Sequence, residues 1–408
     1  MELNINLLNR LERKLGESWY ILDIERFTAN YRRLLDAFNG IYPNTHLAYS
    51  YKTNYIPQLC KIVRDEGGYA EVVSDMEYDL AMAIGTDPLK IVVNGPYKPP
   101  AALKKFLLNG SVVNLDSYAE FEALKMIAKN NPDRILNVGI RCNFTFSGLQ
   151  TSRFGIDVTD PSFDSILDYI SKTKNIRFKI LHCHYPNRDL SLFGERADNM
   201  LELYHRVSQF VIAPIINIGG GLGGNLDDFI KQQLSYEVAD YSDYANLIAT
   251  KFNIAFSNSE VKPMLMLEPG TAIVADTMKF VCKITEIKNI RRKWIALTSG
   301  TKINYSPMAS KLCMPFTVFS EKVGSQNHYP SIDISGYTCM ENDYLFRNYS
   351  GPLNVGDYLV FDNVGSYSVV FKPPFILPNV PIISLENGNM EILKQTETFD
   401  YIFQTYKI

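Results

Sequence analysis

The sequence predicts an α/β protein with a (β/α)8 TIM barrel and a C-terminal all-β domain. Eight short runs rich in β-branched and aromatic residues alternate with amphipathic helical stretches, which is typical of parallel strands with crossover helices. Distinctive polar residues follow most of these runs. After Gly270 the helical pattern stops and long strand-like runs begin. We therefore expect a barrel over residues 24–270 and a β-rich domain over residues 1–23 and 271–408.

The barrel prediction depends on the number of strands. The candidate strands are His46–Ser50, Ala70–Ser74, Lys90–Asn94, Ser111–Leu115, Ile135–Arg141, Phe178–His184, Pro214–Ile218 and Met264–Leu267. The clearest helices between them are Tyr55–Glu66, Ser117–Lys129 and Leu190–Phe210. Eight strand–helix units fit a barrel of about 250 residues. An open, doubly wound sheet is the alternative that the pattern alone leaves open.

The second domain is predicted from the remaining strand-like runs. They are Val274–Ile290, Tyr358–Asp362 and Ser368–Phe371, and loops rich in Asn, Gly and Pro separate them. The early run Trp19–Leu22 precedes the first barrel helix, so we expect it to join this domain as an extra strand.

Composition excludes several classes of protein. The 408 residues are 46% hydrophobic and 21% charged, with a net charge of −3, which indicates a globular chain without a nucleic-acid-binding footprint. The six cysteines show neither metal-ligand spacing nor a disulfide framework. No segment resembles a signal peptide or is apolar enough to span a bilayer. We expect a cytoplasmic protein with reduced thiols, no metal, and no nucleic-acid or membrane partner.

The polar residues at the strand ends indicate the chemistry. Barrel enzymes build their sites at the carboxyl ends of the strands. A pyridoxal 5'-phosphate (PLP) site needs a lysine for a Schiff base, backbone N–H groups for a phosphate, a partner for the ring nitrogen and a flat side chain against the ring. Lys52, after the first strand, is the candidate lysine, and its tyrosine neighbours would partly desolvate the amine. The alternative is an ordinary surface lysine.

Three other strand ends supply the remaining parts. The glycine run at residues 219–223 follows the seventh strand, where barrels often bind phosphate, although a plain loop is the alternative. Glu268 follows the eighth strand and is the candidate partner of the pyridine nitrogen; a core salt bridge is its alternative. His184 is the candidate stacking residue. For His182, a satisfied core histidine competes more strongly. Arg141, which ends the fifth strand, is a candidate substrate ligand.

Six motifs in order carry a resemblance to a known family. They are Tyr49-Ser50-Tyr51-Lys52-Thr53-Asn54, Glu71-Val72-Val73-Ser74, Ser152-Arg153-Phe154-Gly155-Ile156, His182-Cys183-His184, Gly219-Gly220-Gly221-Leu222-Gly223 and Glu268-Pro269-Gly270. The chain resembles the fold-type III PLP decarboxylases, a group that includes diaminopimelate, ornithine, arginine and carboxynorspermidine decarboxylases. The resemblance extends from Trp19 to Tyr367.

The resemblance implies roles for specific residues. The implied cofactor-binding residues are Lys52, Glu71, His184, Gly220, Gly221, Leu222, Glu268, Gly270 and Tyr367. Glu71 stands where the family usually has aspartate. Cys339 matches the family's catalytic cysteine, which acts in the other subunit's site, so a homodimer with shared active sites is implied. A buried structural thiol is the alternative for Cys339.

Three departures from the family pattern concern phosphate and substrate. Asn187 replaces a serine, and Thr271 replaces an arginine that usually contacts phosphate. Met340 replaces the acidic residue that reads the distal amine of the substrate, which argues against a plain diaminopimelate or ornithine decarboxylase. Glu341 or Asp343 is the candidate replacement. Arg188 is a candidate for either the missing phosphate contact or a substrate carboxylate.

These observations predict the PLP-dependent loss of an α-carboxylate as CO2, with an atypical or conjugated amino acid as substrate. In this interpretation Lys52, Cys339, Glu268 and His184 are catalytic. An amino-acid racemase of the same fold is one alternative, against which Glu268 argues. A non-catalytic, PLP-binding regulatory homologue is another, against which Lys52 and Cys339 argue.

Overall fold

The computed structural model of this chain describes residues 3–146, 148–185, 187–305, 312–322, 324, 327–386 and 389–407. The α-helices are α1 (Ile5–Leu15), α2 (Ile24–Asn39), α3 (Pro57–Asp65), α4 (Asp75–Ala83), α5 (Pro100–Leu108), α6 (Tyr118–Asn130), α7 (Pro161–Lys172), α8 (Leu190–Val207), α9 (Asp228–Lys231), α10 (Tyr241–Ala255), α11 (Thr271–Val274) and α12 (Phe399–Phe403). Short 3-10 helices span Tyr51–Thr53, Pro88–Lys90, Ala275–Thr277 and Lys302–Asn304.

The strands form two sheets. They are β1 (Trp19–Leu22), β2 (Thr45–Ser50), β3 (Tyr69–Val72), β4 (Ile91–Val93), β5 (Val112–Leu115), β6 (Leu136–Asn143), β7 (Ile156–Asp157), β8 (Ile176–His182), β9 (Ile215–Asn217), β10 (Met264–Leu267), β11 (Met278–Ile290), β12 (Lys293–Thr298), β13 (Phe316–Phe319), β14 (His328–Ser335), β15 (Tyr344–Pro352), β16 (Tyr358–Phe361), β17 (Ile382–Glu386) and β18 (Asn389–Lys394).

The chain divides into two compact units. The first, here called the barrel unit, comprises residues 28–224 and 236–273, and the second, the β unit, comprises the described residues of 1–27, 225–235 and 274–408. We expected one continuous barrel range of 24–270, whereas residues 225–235 group with the β unit. This segment belongs to the β unit because Gln233 exchanges hydrogen bonds of 3.0 and 2.9 Å with the Cys313 backbone.

The barrel unit contains a closed parallel barrel, as predicted. Its eight strands run in the order β5-β4-β3-β2-β10-β9-β8-β6, and the pairing of β6 with β5 closes the ring. The two-residue strand β7 pairs with the end of β6 outside this ring. Apolar side chains from five barrel strands form a buried cluster of Ala48, Val92, Val112, Ile180 and Met266. A packed interior of this kind leaves the rim at the carboxyl ends of the strands for the site.

The β unit is built on a mixed sheet in the order β15-β14-β12-β11-β1-β17-β18, with β16 paired to β11 and β13 paired to β16. As expected, β1 joins this sheet: it pairs antiparallel with β11 and parallel with β17. Leu8 and Leu11 of the amphipathic helix α1 pack against Trp19 and Val281 of the sheet, so that the N-terminal segment covers one apolar face.

Two strand predictions were wrong in the β unit. The run at Ser368–Phe371 forms turns, because Tyr367 adopts a left-handed φ of 58° that breaks the extended chain just before it. The run predicted from Val274 becomes a strand only at Met278. A 3-10 helix precedes it, and the Thr277 hydroxyl donates a 2.8 Å hydrogen bond to the Val274 carbonyl.

Within the described ranges, no helix combines the length and the apolar character that crossing a membrane would require.

Candidate active site

Residues from the carboxyl ends of six barrel strands surround one cavity of about 260 Å³. Because all eight strands are parallel, residues far apart in sequence meet at this rim. The cavity is lined by Lys52, Glu71, Val73, Asn94, Gly95, Pro96, Arg141, Arg153, Phe154, His182, His184 and Glu268. Five of the predicted site residues thus come together: Lys52, Glu71, Arg141, His184 and Glu268.

Lys52 lies on the 3-10 helix that follows β2. The turn is fixed at both ends, because Ser50 N donates to the Pro269 carbonyl at 3.0 Å and the Tyr49 hydroxyl donates to the Asn54 carbonyl at 2.7 Å. The Lys52 ammonium donates to the carboxylate of Glu71, which is fully buried. The Lys52 side chain remains one-third exposed to the cavity, at 34%. A lysine held in this way can react with a carbonyl compound that enters the cavity.

Glu268 is the most thoroughly hydrogen-bonded carboxylate of the site. Its Oε1 accepts from Asn94 Nδ2 at 2.8 Å and from Asn217 Nδ2 at 2.7 Å, and its Oε2 lies 3.2 Å from His182 Nε2. Burial alone would raise the pKa of Glu268, but the charge and hydrogen bond of His182 outweigh it, so the pKa lies below its ordinary value. The structure therefore holds an ionised carboxylate against the cavity.

Asn94 links the two carboxylates of the cavity. Its amide nitrogen donates to Glu71 Oε1 at 3.0 Å as well as to Glu268, and its own oxygen accepts from Asn114 Nδ2 at 2.8 Å. Glu71 and Glu268 thus share one donor, which fixes the position of each relative to the other.

The His184 ring is a flat, neutral group on the cavity wall. Its Nδ1 accepts a 3.2 Å hydrogen bond from Gly220 N, which requires that this nitrogen carry no proton. Burial lowers the pKa of His184 well below its ordinary value, and the positive charges of Arg196 and Lys52 lower it further. A neutral ring in this position suits stacking against another ring.

The glycine run after β9 passes close to neighbouring backbone. Gly219 has a φ of 72°, and a Cβ on it would lie 2.5 Å from the Cys183 carbonyl oxygen. A Cβ on Gly220 would lie 2.3 Å from the Glu268 carbonyl oxygen. No described residue accepts a hydrogen bond from the backbone N–H of Gly221 or Leu222. Backbone N–H groups without a protein acceptor form a suitable site for an anion.

Two arginines flank one aromatic ring at the cavity. The Arg141 guanidinium lies 4.5 Å and the Arg153 guanidinium 4.0 Å from the centre of the Phe154 ring. Arg141 is buried, lies 3.6 Å from Asp116 and donates to the His184 carbonyl at 3.3 Å. Arg153 is exposed, and among the residues that the structure describes no carboxylate pairs with it.

Other predicted residues of the barrel unit lie around the glycine run. Leu222 is buried. A Cβ on Gly270 would lie 2.2 Å from Thr53 Oγ1, so this glycine allows the loop after β10 to approach the Lys52 turn. Arg188 Nη1 donates to the Tyr236 hydroxyl at 3.4 Å, and Arg188 is not among the residues that line the cavity as described.

The remaining predicted residues belong to the β unit. Cys339 and Glu341 are exposed in the loop between β14 and β15. The Asp343 carboxylate accepts hydrogen bonds from its own unit: 2.6 Å from Thr338 Oγ1, 2.9 Å from Thr301 Oγ1 and 2.8 Å from Lys302 N. These bonds give Asp343 a role in holding the loop. Tyr367 is half-buried and lies 5.7 Å, ring to ring, from Phe371.

Sequence reasoning missed four polar residues that the structure places at or behind the cavity: Asn94, Asn217, Asp116 and Arg196. Asn94 directly follows β4 and Asn217 is the last residue of β9, and this position was the available signal. Arg196 lies in the middle of α8, where an arginine usually faces solvent.

Comparisons with known proteins identify the family and the fold of the chain. The family model described as "Pyridoxal-dependent decarboxylase, pyridoxal binding domain" matches residues 25–275. The chain is 24% identical to the diaminopimelate decarboxylase of Aquifex aeolicus, over 97% of this chain and 93% of the relative. It is 25% identical to that of Methanothermobacter thermautotrophicus, over 94% and 90%. Among solved structures, the diaminopimelate decarboxylase of M. jannaschii in complex with L-lysine has a TM-score of 0.86 at 21% identity, covering 98% of this chain and 94% of that one.

Proposed function

The chain belongs to the pyridoxal-dependent decarboxylase family, and we propose that it removes the α-carboxylate of an acidic amino acid related to diaminopimelate, with PLP carried on Lys52. Its cofactor is PLP and it is a carboxy-lyase. The racemase and the non-catalytic alternatives are therefore not favoured. The exposed guanidinium of Arg153 at the cavity is the observation that carries the substrate proposal.

The residues around the cavity fit PLP. A lysine amine, an ionised carboxylate and a neutral ring face one volume, and the glycine run leaves backbone N–H groups for a phosphate. A Cβ on Gly220 would lie 2.3 Å from the backbone carbonyl oxygen of Glu268, so a residue without a side chain lets the glycine run pass close to the end of β10. When bound, PLP supplies the electron sink that takes up the electron pair of the broken Cα–carboxylate bond.

Four residues of the cavity then have defined roles. Lys52 would hold the cofactor through its amine, and Glu71, which accepts a hydrogen bond from that amine, would position it. Glu268 keeps a proton on the pyridine nitrogen, which requires the lowered pKa that His182 provides. His184 orients the ring by packing against its face.

The substrate proposal follows from the charges at the cavity. Arg141 already interacts with Asp116, whereas Arg153 has no carboxylate partner within the described part of the chain. A guanidinium stacked on Phe154 is well placed to bind a carboxylate through two parallel hydrogen bonds. The curated relatives named above are diaminopimelate decarboxylases, and diaminopimelate carries a second carboxylate.

The departure at Met340 disfavours substrates with a free distal ammonium, which include plain diaminopimelate as well as ornithine and lysine. A distal ammonium without a carboxylate partner would lose several kcal/mol on leaving water. We therefore expect the wild-type protein to release CO2 from an acidic amino acid whose distal amine is absent or conjugated at least about 100-fold faster, in kcat/KM, than from ornithine or lysine. A CO2-release assay on a panel of acidic and basic amino acids measures this preference. Efficient turnover of free ornithine would contradict both the Met340 argument and the Arg153 argument.

Arg153 itself can be tested by substitution. Arg153→Gln is expected to raise KM for the preferred acidic substrate by about tenfold or more while changing kcat little, because a charged hydrogen-bond pair is lost in both ground and transition states. The KM of Arg153→Lys should lie between those of the wild type and Arg153→Gln. Arg206→Gln, on the outer helix α8, is the matched control. An unchanged KM in Arg153→Gln would remove Arg153 from substrate binding.

We further propose that the active unit is a homodimer in which Cys339 of one subunit acts in the site of the other. Cys339 is exposed on its loop, as a residue that serves a second subunit must be. Glu341, which is also exposed on that loop, is the second candidate for substrate contact, and Tyr367 is a candidate for phosphate.

Mixing two inactive variants tests this assembly. Lys52→Ala and Cys339→Ala, each inactive alone, should regain about a quarter of wild-type activity after subunit exchange, because half of the dimers are mixed and carry one native site. CO2 release is the measurement, and mixed dimers are verified with two affinity tags. Demonstrated exchange without recovered activity would count against a shared site.

A further inference from the structure

Arg196 is a buried arginine that none of the roles above uses. It lies in α8, is 0% exposed, and its guanidinium sits 4.3 Å from the centre of the Phe193 ring. Burying a charged side chain costs free energy unless hydrogen bonds and an opposite charge compensate for it. Buried Arg196 therefore needs both hydrogen-bond acceptors and an opposite charge.

The partners of Arg196 within the chain are backbone carbonyls. Its Nη1 donates to Ile218 O at 2.9 Å and to Gly220 O at 3.0 Å, and its Nη2 donates to Tyr185 O at 2.8 Å. The first two carbonyls belong to the loop after β9 and the third to the loop after β8. One guanidinium thus joins the glycine run to the loop that carries His184.

These contacts satisfy hydrogen bonds but leave the charge without a counter-ion. No carboxylate among the described residues forms an ion pair with Arg196, and its Nε has no hydrogen-bond partner there. Glu268 also interacts electrostatically with Arg196, but its carboxylate is directly bonded to His182, Asn94 and Asn217.

The geometry of one peptide unit shows where an opposite charge would lie. In a trans peptide the C=O and the following N–H point in opposite directions. Because Gly220 O points at Arg196, the Gly221 N–H points away from Arg196, on the other side of the loop. That N–H has no acceptor among the described residues. The positive charge of Arg196 and the aligned peptide dipole would both stabilise an anion bound there.

We propose that Arg196 is a positioning residue for phosphate: from behind the glycine run it orients the Gly221 N–H and supplies the positive charge that balances the phosphate of PLP. This inference rests on the proposed placement of the phosphate at the glycine run. It accounts for a buried guanidinium whose hydrogen bonds all go to carbonyls, and for the uncharged Thr271 at the position where the family resemblance implies an arginine. It also predicts that Arg196 contributes to the binding of PLP but not to that of pyridoxal.

The test compares the two ligands on the full chain stripped of cofactor. Dissociation constants of PLP and of pyridoxal, which lacks the phosphate, are measured by absorbance for the wild type, Arg196→Met, Arg196→Lys and the control Arg206→Met. The preference for PLP over pyridoxal should fall by about tenfold or more in Arg196→Met, stay within about threefold of wild type in Arg196→Lys, and be unchanged in the control.

Each result of this experiment either supports or overturns the proposed role of Arg196. Equal weakening of both ligands in Arg196→Met means that Arg196 only supports the fold, which overturns the proposal. If Arg196→Met does not fold, Arg196→Lys decides, because lysine keeps the charge: a retained preference for PLP supports the proposal and a lost one overturns it. A wild type without any preference for PLP, or borohydride labelling away from Lys52, would instead overturn the proposed site itself.

Discussion

Replacing Lys52 with alanine is expected to lower CO2 release by at least about 1,000-fold and to abolish the covalent attachment of the cofactor. The amine of Lys52 reaches the cavity beside Glu71, and no other lysine lines the cavity within the described ranges. Borohydride treatment of the wild type followed by peptide mapping should place the pyridoxyl group on Lys52. The same treatment of Lys52→Ala should leave the chain unlabelled.

The controls for this experiment separate chemistry from folding. Lys61→Ala removes an exposed lysine on α3, the helix that follows the Lys52 turn, and should retain full labelling and full activity. Lys52→Ala should still bind PLP non-covalently, since the glycine run and Glu268 are unchanged. A pyridoxyl label on another lysine of the wild type would show that Lys52 does not carry the cofactor.

The barrel was predictable because its strands leave a strong local pattern. The predicted strand Met264–Leu267 coincides with β10, and the run predicted at Pro214–Ile218 extends β9 by one residue at each end. Buried parallel strands read as short apolar runs, and crossover helices read as amphipathic stretches. In the β unit the same reasoning failed at Ser368–Phe371, where apolar composition suggests a strand but the left-handed Tyr367 and the lack of a pairing partner among the described strands prevent one.

The site was predictable only in part, because its contacts are set by closure of the barrel. Lys52, Glu268 and His184 stood out as reactive or aromatic side chains at strand ends. Asn94 did not, since an asparagine after a strand usually belongs to a turn. Its role depends on Glu268, which lies 174 residues further along the chain. Arg196 was hidden for a similar reason: its carbonyl partners come from two loops that the sequence of α8 does not specify.

The assignment of the ring-nitrogen partner depends on the network around Glu268. Two amide donors, from Asn94 and Asn217, hold Oε1, and His182 lies against Oε2. Hydrogen bonds to the ionised form lower the pKa of a carboxyl group, which is the direction found for Glu268. Sequence reasoning treated His182 mainly as a core histidine; the structure gives it the task of keeping Glu268 charged.

Glu268→Gln should keep PLP bound but lower kcat by about 100- to 1,000-fold, roughly 3–4 kcal/mol of barrier. Glutamine preserves the size of the side chain and its contacts with Asn217, yet it carries no charge to hold a proton on the pyridine nitrogen. The negative charge that develops at Cα would then lose its cationic sink. KM should change little, because Glu268 is proposed to face the pyridine nitrogen and not the substrate.

The measurements are PLP content after dialysis, kcat and KM from CO2 release, and the same values for Glu268→Asp. Aspartate keeps the charge on a shorter side chain, so it should retain more activity than glutamine if charge is the property that matters. His182→Gln should lower kcat in the same direction and by a smaller factor, since it acts only through Glu268. Wild-type turnover by Glu268→Gln would mean that Glu268 does not face the ring nitrogen, and the hydrogen-bonded network around it would then serve the barrel core alone.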